Sequence, residues 1–507
     1  MPRLQTSSGR LLIAALGLTL IFRFWLAAVL PITGDEAYFI WWGKIPDWGF
    51  YDHPPMIGWW LAGLLAVADS EWWLRLPQIV QPALLALAVR WAWPMIWPES
   101  VVRRDWVALL VLLAPVNVWN VLVTTDTALI YCAVLSGLAW LLAVRNNDLR
   151  WYAVAGVFLA GAVLSKYFAA LLGFAYLVDV LRRRTPRAFA GLAIAYACTM
   201  PGLLLMAWWN ADHCWANYMF NFVNRHGDSN TGLGWTTPLL YLATLAYALT
   251  PPVLWMLIRR RRPANADFSL AERSLALLVI VPLLLFAALS LIKTIGLHWV
   301  LAFVPFALML AVRRLSESAL PKLALFFLSF AALHLAGIFV GSRLPLEAWR
   351  ATSIYPGIVL TFDSKALVER ANPGDSLLVS DGYSNAVTLG YNLRRYVPVL
   401  GPGSGHARHD DILTDWRTQD GRDITVLRKT APRQAEYSAW FRSVTSESFE
   451  QRGARFWVVR GKDFDYAAYR DTVLTEVRRH YYALPHWLPQ TGCYFCDRYF
   501  PGEPCTR

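Results

Sequence analysis

The sequence predicts a polytopic α-helical membrane domain of about eleven spanning helices, followed by a C-terminal extracytoplasmic α/β domain. Three observations predict it. Of the 507 residues, 56% are hydrophobic and 16% charged, whereas an ordinary soluble domain carries about 25% charged residues. The apolar residues fall in long blocks divided by short polar punctuation, with a mean hydropathy of +0.37, the pattern of chains solvated by lipid. Past residue 341 the blocks stop and mixed polar sequence takes over.

The spans follow in order from the apolar runs: 11–31, 76–97, 105–123, 127–143, 151–165, 167–181, 187–209, 236–258, 274–292, 297–312 and 321–340. The first follows a basic start, Arg3 and Arg10, and is longer than a signal-peptide core, so it reads as an uncleaved helix. Basic residues punctuate the runs at Arg103-Arg104, Arg145 and Arg150, Arg182 to Arg184, Arg259 to Arg262 and Arg313-Arg314. Placing all of them in the cytoplasm, as the positive-inside rule expects, turns 32–55, 124–126, the turn near Lys166, 210–235, 293–296 and everything after 341 outward. The N-terminus is then inside, the C-terminus outside, and the short apolar run 56–69 must be re-entrant or interfacial.

Residues 1–340 thus form the membrane domain and 341–507 a periplasmic domain of normal size, with strand-like runs at Ser376 to Ser380 and Phe456 to Arg460 and a loop at Gly401 to Gly405. The net charge of +12 sits at the ends of apolar runs and forms no stripe with interleaved aromatics. It therefore reports topology and contact with membrane lipids, not nucleic acid. Cys132, Cys198 and Cys214 are isolated and read as inert; Cys493, Cys496 and Cys505 crowd the C-terminus, where an oxidising compartment favours a disulfide and a zinc knuckle is the rival.

The first outward loop holds the densest chemistry. It reads Gly34-Asp35-Glu36-Ala37-Tyr38, then Trp41-Trp42, then Asp47-Trp48-Gly49-Phe50-Tyr51-Asp52-His53-Pro54-Pro55. Paired carboxylates, a histidine and a rigid turn among aromatic rings suit a general base presented to a hydroxyl while rings pack on a sugar or an isoprenoid chain; an interfacial aromatic belt is the plainer alternative. Asp126, between Thr125 and Thr127, reads either as a second functional acid or as a helix cap. Lys166 divides a long apolar stretch and reads either as a cation for a phosphate or as a snorkelling lysine. Arg225 and His226 read either as site residues or as ordinary loop. Arg23, within the first span, should face the bundle and a partner, and His298 and His334 read as packing histidines.

Asp35-Glu36-Ala37-Tyr38 followed by Tyr51-Asp52-His53-Pro54-Pro55 resembles the first-loop signature of the GT-C superfamily of membrane glycosyltransferases, in the branch of protein O-mannosyltransferases and bacterial lipid A aminoarabinose transferases. The resemblance continues in Thr124-Thr125-Asp126-Thr127-Ala128-Leu129, in Leu164-Ser165-Lys166-Tyr167 and, more faintly, in Phe220 to His226; it covers 10–310, respects the side of each loop, and does not extend to the C-terminal domain. It implies transfer of a sugar from a polyprenyl (undecaprenyl) phosphate donor to a glycan, lipid or protein acceptor outside the cytoplasm, at an inner membrane. Lipopolysaccharide or another envelope glycan is the favoured acceptor. It implies Asp35 as catalytic base with Glu36 beside it, Asp126 as a second acid of the same cavity, Asp52 as a metal or donor contact, and His53 as a group facing the donor phosphate.

Independently of the family, displacing a lipid phosphate from an anomeric carbon needs a base for the incoming hydroxyl and positive charge for the leaving phosphate. His53, Lys166 and Arg225 are the outward cations, with a divalent ion between Asp52 and His213 or His226 as a further source. Two departures separate the chain from the aminoarabinose branch: a histidine, His53, where that branch has lysine, and no arginine shortly after Asp35-Glu36. A transporter of lipid-linked sugars is the rival function, though transporters place ionisable groups near mid-membrane on broken helices of repeated halves. A catalytically inert scaffold recruiting envelope enzymes is the third.

Overall fold

The computed structural model describes residues 2–224, 234–258, 269–433, 435–503 and 505, with side chains from Ser8 onward. Among these, seven helices are long and apolar enough to cross a bilayer: Ser8–Val29, Leu76–Ile96, Thr125–Asn146, Pro186–Asp212, Leu270–Ser290, Leu297–Arg314 and Glu317–Arg343. Each coincides with a predicted span. The other predicted spans are helical too, but shortened or broken. Run 105–123 is cut at Pro115 into Arg104–Leu112 and Pro115–Trp119, because proline excludes the preceding residue from helical geometry. Run 236–258 becomes Thr236–Leu249 and Pro251–Ile258, bent by 107° at Thr250, and counts as an eighth span if the pair is one. Leu149–Val163 and Ala170–Arg183, with 15 and 14 residues, rise only about 22 Å each against a hydrocarbon core of about 30 Å. The count of about eleven therefore becomes seven or eight full-length helices among the described residues.

The chain divides into two compact units. The first gathers Met1–Leu30, Ala68–Leu204 and Asn230–Ser342, and the second Pro31–Val67, Leu205–Ser229 and Arg343–Arg507. In the first, Thr125–Asn146 is the central helix, with 83% of its apolar window buried, while Glu317–Arg343 is peripheral at 22%. The basic loops of this unit converge on one end. Arg313 bonds to Glu99 and Glu272, Arg103 donates to the carbonyls of Val312 and Arg313, Ser274 donates to Asp179, which pairs with Arg182 and Arg183, and Arg187 donates to the Asn147 carbonyl. Arginines placed on one side by the charge argument thus share one end of the helix bundle. Arg23 is fully buried and its partners are backbone carbonyls, those of Gln78, Ile79, Asn117 and Asn120, so the expected partner is a set of backbone oxygens: two at the end of helix Pro115–Trp119 and two in the first turn of helix Leu76–Ile96, where Pro82 has no N–H for the Gln78 carbonyl. Arg75 repeats the device, donating to the Ala27 and Leu30 carbonyls where the first helix ends.

The second unit contains a four-stranded sheet. Strands β1 (Leu377–Val379), β2 (Ile424–Arg428), β3 (Phe441–Gln451) and β4 (Ala454–Phe464) lie in the order β1-β2-β4-β3, with β1 parallel to β2 and the remaining pairs antiparallel. Helices Tyr355–Ala371 and Tyr383–Leu393 pack an apolar cluster through Val359, Leu367 and Leu389 against Leu378, Leu427 and Phe456 of the strands. The run 56–69 forms the helix Met56–Leu65 of 10 residues, rising about 15 Å, half the thickness needed to span. It packs against helix Gly34–Lys44 so closely that a Cβ on Gly43 would lie 2.7 Å from Leu61 Cβ and 2.9 Å from the Leu61 carbonyl carbon.

Cys214, expected to be inert, is disulfide-bonded to Cys493, and Cys496 to Cys505. The oxidised C-terminal cluster is therefore real, but one of its partners comes from 279 residues earlier. Backbone bonds join the same segments: Thr491 and Gly492 donate to the Ala211 carbonyl and Cys214 to the Gly492 carbonyl, while the Trp215 indole donates to the Pro489 carbonyl.

Candidate active site

The site begins at a helix N-terminus. Thr33 caps helix Gly34–Lys44 in a capping box: its hydroxyl accepts from the Glu36 amide, and the Glu36 carboxylate accepts from the Thr33 amide at 3.1 Å. Glu36 is fully buried in that arrangement, so the acid expected beside the base is the one that starts its helix. Asp35 occupies the same first turn, where a carboxylate is favoured by the helix dipole, yet it is exposed. One carboxylate oxygen accepts a hydrogen bond of 3.2 Å from the Tyr383 hydroxyl.

Asp52 lies in the turn that precedes helix Met56–Leu65. The turn is closed by Phe50 N–H donating to the His53 carbonyl and is fixed from helix Ala216–Phe222. Asn217 donates to the Phe50 carbonyl at 2.8 Å, and Asn221 to the Asp52 carbonyl at 2.9 Å. These asparagines give a physical role to the faintest motif of the sequence. The Asp52 side chain is 6% exposed; Oδ1 accepts from the Tyr38 hydroxyl at 3.3 Å, and Oδ2 is 3.5 Å from His53 Nδ1. Tyr38 in turn accepts from the His409 backbone N–H. Burial, then the Asp52 charge, holds the Tyr38 phenol well above its ordinary range, so Tyr38 stays a donor to Asp52.

His409 was not singled out by sequence. It is 3% exposed, its ring packs edge-on to Phe50 and Trp42, and its Nδ1 has no hydrogen-bond partner among the described residues. Burial lowers its pKa to about 4, and the neutral ring suits that apolar setting. Next to it Arg408 pairs with Asp411 through bonds of 2.8 and 3.1 Å, and Tyr482 donates to the same carboxylate at 2.7 Å.

Among the described residues, Asp52 and His213 do not come together as a ligand pair. Asp52 Oδ1 accepts from Tyr38, and Oδ2 faces His53 Nδ1 at 3.5 Å. His213 stacks on Trp209 with ring centroids 4.2 Å apart, bonds its backbone carbonyl through Nδ1, and approaches Asp47 and Asp212 rather than Asp52. His226 and Arg225 lie outside the described residues. Among the described residues the one group of three whose ligating atoms close together is Cys493, Cys496 and Cys505, which are disulfide-bonded.

In the membrane unit, Asp126 and Lys166 form a buried ion pair. The ammonium bonds both carboxylate oxygens at 3.0 and 2.9 Å, and each residue is 7% exposed. Asp126 is not the cap of its helix; Thr124 is, in a box with Thr127. Lys166 does not snorkel, and it also lies 5.6 Å from the Phe168 ring. His334 bonds Tyr247 at 2.9 Å and Phe330 O at 2.8 Å, a packing histidine.

Three comparisons with known proteins agree with one another. Residues 52–209 match the dolichyl-phosphate-mannose-protein mannosyltransferase family. The lipid A galacturonosyltransferase RgtD of Rhizobium johnstonii is 28% identical over 189 residues, 35% of this chain and 38% of that protein. The chain thus matches little more than a third of that relative's length. ArnT from Cupriavidus metallidurans bound to undecaprenyl phosphate superposes with a TM-score of 0.60 at 14% identity, over 88% of this chain and 97% of that one. Its apo state gives a TM-score of 0.60 at 15% identity over 89% and 98%. Coverage of 88% is more than residues 10–310 could supply, so the fold likeness runs into the C-terminal part that the sequence could not match. The chain has the GT-C fold of a multi-pass membrane protein, and the resemblance read from its loops holds.

Proposed function

We propose that this GT-C-fold membrane protein is a glycosyltransferase that moves one sugar from a polyprenyl phosphate donor to a glycolipid of the lipid A type at the outer face of an inner membrane. The observation that carries the reading is the second unit itself. It holds an exposed carboxylate, Asp35, by the Tyr383 hydroxyl and the buried Asp52, beside a half-buried His53, by the Tyr38 hydroxyl, with the two tyrosine rings packed at 5.7 Å, within a chain of this fold. The undecaprenyl phosphate of the ArnT structure supports the donor class, and the lipid A substrate of RgtD supports the acceptor. The convergence of the described basic loops on one end of the bundle supports a cytoplasmic face at that end.

In the proposed reaction the acceptor hydroxyl oxygen attacks the anomeric carbon, and Asp35 takes the hydroxyl proton as the bond forms. The bond from that carbon to the phosphate oxygen breaks, its electron pair stays on phosphate, and polyprenyl phosphate leaves. We assign His53, 3.5 Å from the Asp52 carboxylate, to the growing phosphate charge. No step runs through a metal. His53 in place of a lysine points to a sugar other than aminoarabinose.

Mass spectrometry of envelope glycolipids tests the reading. A strain lacking the chain should lose a single sugar from one glycolipid; the wild-type chain should restore it, and Asp35→Asn should not, although the variant accumulates in the membrane. Transfer at the wild-type rate by Asp35→Asn removes Asp35 from the mechanism.

A further inference from the structure

The part of the chain after 341 carries no recognisable motif, yet it supplies the hydrogen bond on the proposed base. Strand β1 ends at Val379, and after Ser380, Asp381 and Gly382 the helix Tyr383–Leu393 begins. Tyr383 is its first residue. This helix start abuts the start of helix Gly34–Lys44: a Cβ on Gly34 would sit 2.6 Å from the Ser384 hydroxyl, and Trp41 meets Tyr396 edge-on at 5.7 Å. Two helix N-termini therefore bring Asp35 and the Tyr383 hydroxyl within 3.2 Å. The Tyr383 ring also packs on Tyr38 at 5.7 Å, the residue that donates to Asp52.

Two small hollows share Tyr383 in their lining, and each has a volume of about 20 Å³. A water needs about 10–15 Å³ on that measure, so neither hollow admits a sugar ring. What Tyr383 does have is a directed donor. Burial, then the Asp35 charge, holds its phenol above the ordinary range, so the donor persists at neutral pH.

We infer that Tyr383 is a positioning residue for the proposed transfer: its hydroxyl fixes the Asp35 carboxylate through one oxygen and leaves the other oriented toward the acceptor proton. The inference rests on Asp35 being the base. Tyr383→Phe removes a directed donor and little packing surface, so the loss has a signature that a packing role lacks: kcat falls while KM and the melting temperature hold.

The test is Tyr383→Phe in the full-length chain in membranes, with Asp35→Asn alongside. Tyr383→Phe should lower kcat about tenfold, leave KM for the donor within about twofold and leave the melting temperature unchanged. Wild-type kcat overturns the inference, and so does a lower kcat that comes with a raised KM or a lower melting temperature. If Asp35→Asn retains transfer, the base assignment fails with it. If Asp35→Asn abolishes transfer while Tyr383→Phe is silent, the positioning role alone fails.

Discussion

Asp126→Asn is expected to destabilise the membrane unit, and Asp126→Leu with Lys166→Met to restore it. The Lys166 ammonium makes its two carboxylate bonds, at 2.9 and 3.0 Å, to a residue as buried as itself. Removing one partner of a buried pair leaves the other charge uncompensated, a loss of about 3–5 kcal/mol. The side chains retain 9% and 10% exposure, so water reaches the pair slightly and the lower end, about 3 kcal/mol, is expected. The double variant is neutral and apolar at that place and should unfold within about 1 kcal/mol of wild type, since replacing a whole buried pair is often neutral or stabilising. Thermal melts in detergent, followed by far-ultraviolet circular dichroism, measure the ordering: wild type and double variant high, Asp126→Asn low. A single variant as stable as wild type refutes the energetic argument, and so does a double variant as weak as the single. Sugar transfer separates stability from chemistry. A folded, inactive double variant would give the pair a part in transfer, and a folded, active one would confine it to structure.

Cys214→Ser opens the covalent tie across 279 residues and should cost about 2–5 kcal/mol; the wild type should yield a Cys214–Cys493 linked peptide in non-reducing digests, and the variant should be cut sooner by protease. The neutral, buried His409, with its pKa lowered from 6.5 to about 4, makes stability depend on pH. Between pH 6.5 and 4 the unfolded chain binds a proton that the folded chain refuses, so about 3 kcal/mol is lost as pH falls through that window, and His409→Phe should flatten the dependence in pH-resolved melts. Gly43→Ala should cost roughly 1–3 kcal/mol by overpacking, because the added methyl meets the backbone of Leu61 and Ala62 and backbone does not swing aside. Chelation with EDTA should leave the transfer rate unchanged, and a rate restored only by added divalent ion would refute the reading of Asp52 and His213.

The long helices were legible because lipid imposes a length and a composition on each of them. Two of the four that failed as full spans failed at residues whose effect is local and steric, Pro115 and the Thr250-Pro251 junction, which a hydropathy average passes over; the other two, Leu149–Val163 and Ala170–Arg183, are short helices on either side of Lys166. Asp35, Asp52 and His53 were legible because charge amid aromatic rings needs an explanation. Their partners were not, since Tyr383 and His409 lie more than 340 residues away in sequence and carry no pattern of their own. Glu36 shows the opposite difficulty. Thr33 and Glu36 have the spacing of a capping box, and that reading was available from sequence alone, but an acid beside a candidate base attracts a chemical role.

Cys214 carries the point further. Judged by its surroundings in sequence it is a solitary thiol next to an apolar helix; judged by Cys493, whose nearest neighbours Cys496 and Cys505 pair with each other, it is the missing fourth member. Three cysteines in one oxidised cluster leave one without a partner, so the odd count alone called for a distant fourth, and the outward loop 210–235 was the described stretch outside the membrane that had one to give. The same logic accounts for the composition of the second unit. Pro31–Val67 and Leu205–Ser229 are loops between membrane helices, too short to bury a core. Their described parts join the sheet-bearing segment through one disulfide and the Tyr383 hydroxyl, and each other through two asparagines. A truncation at 341 would therefore do more than delete an appendage: it would remove the Tyr383 donor on Asp35 and leave Cys214 unpaired.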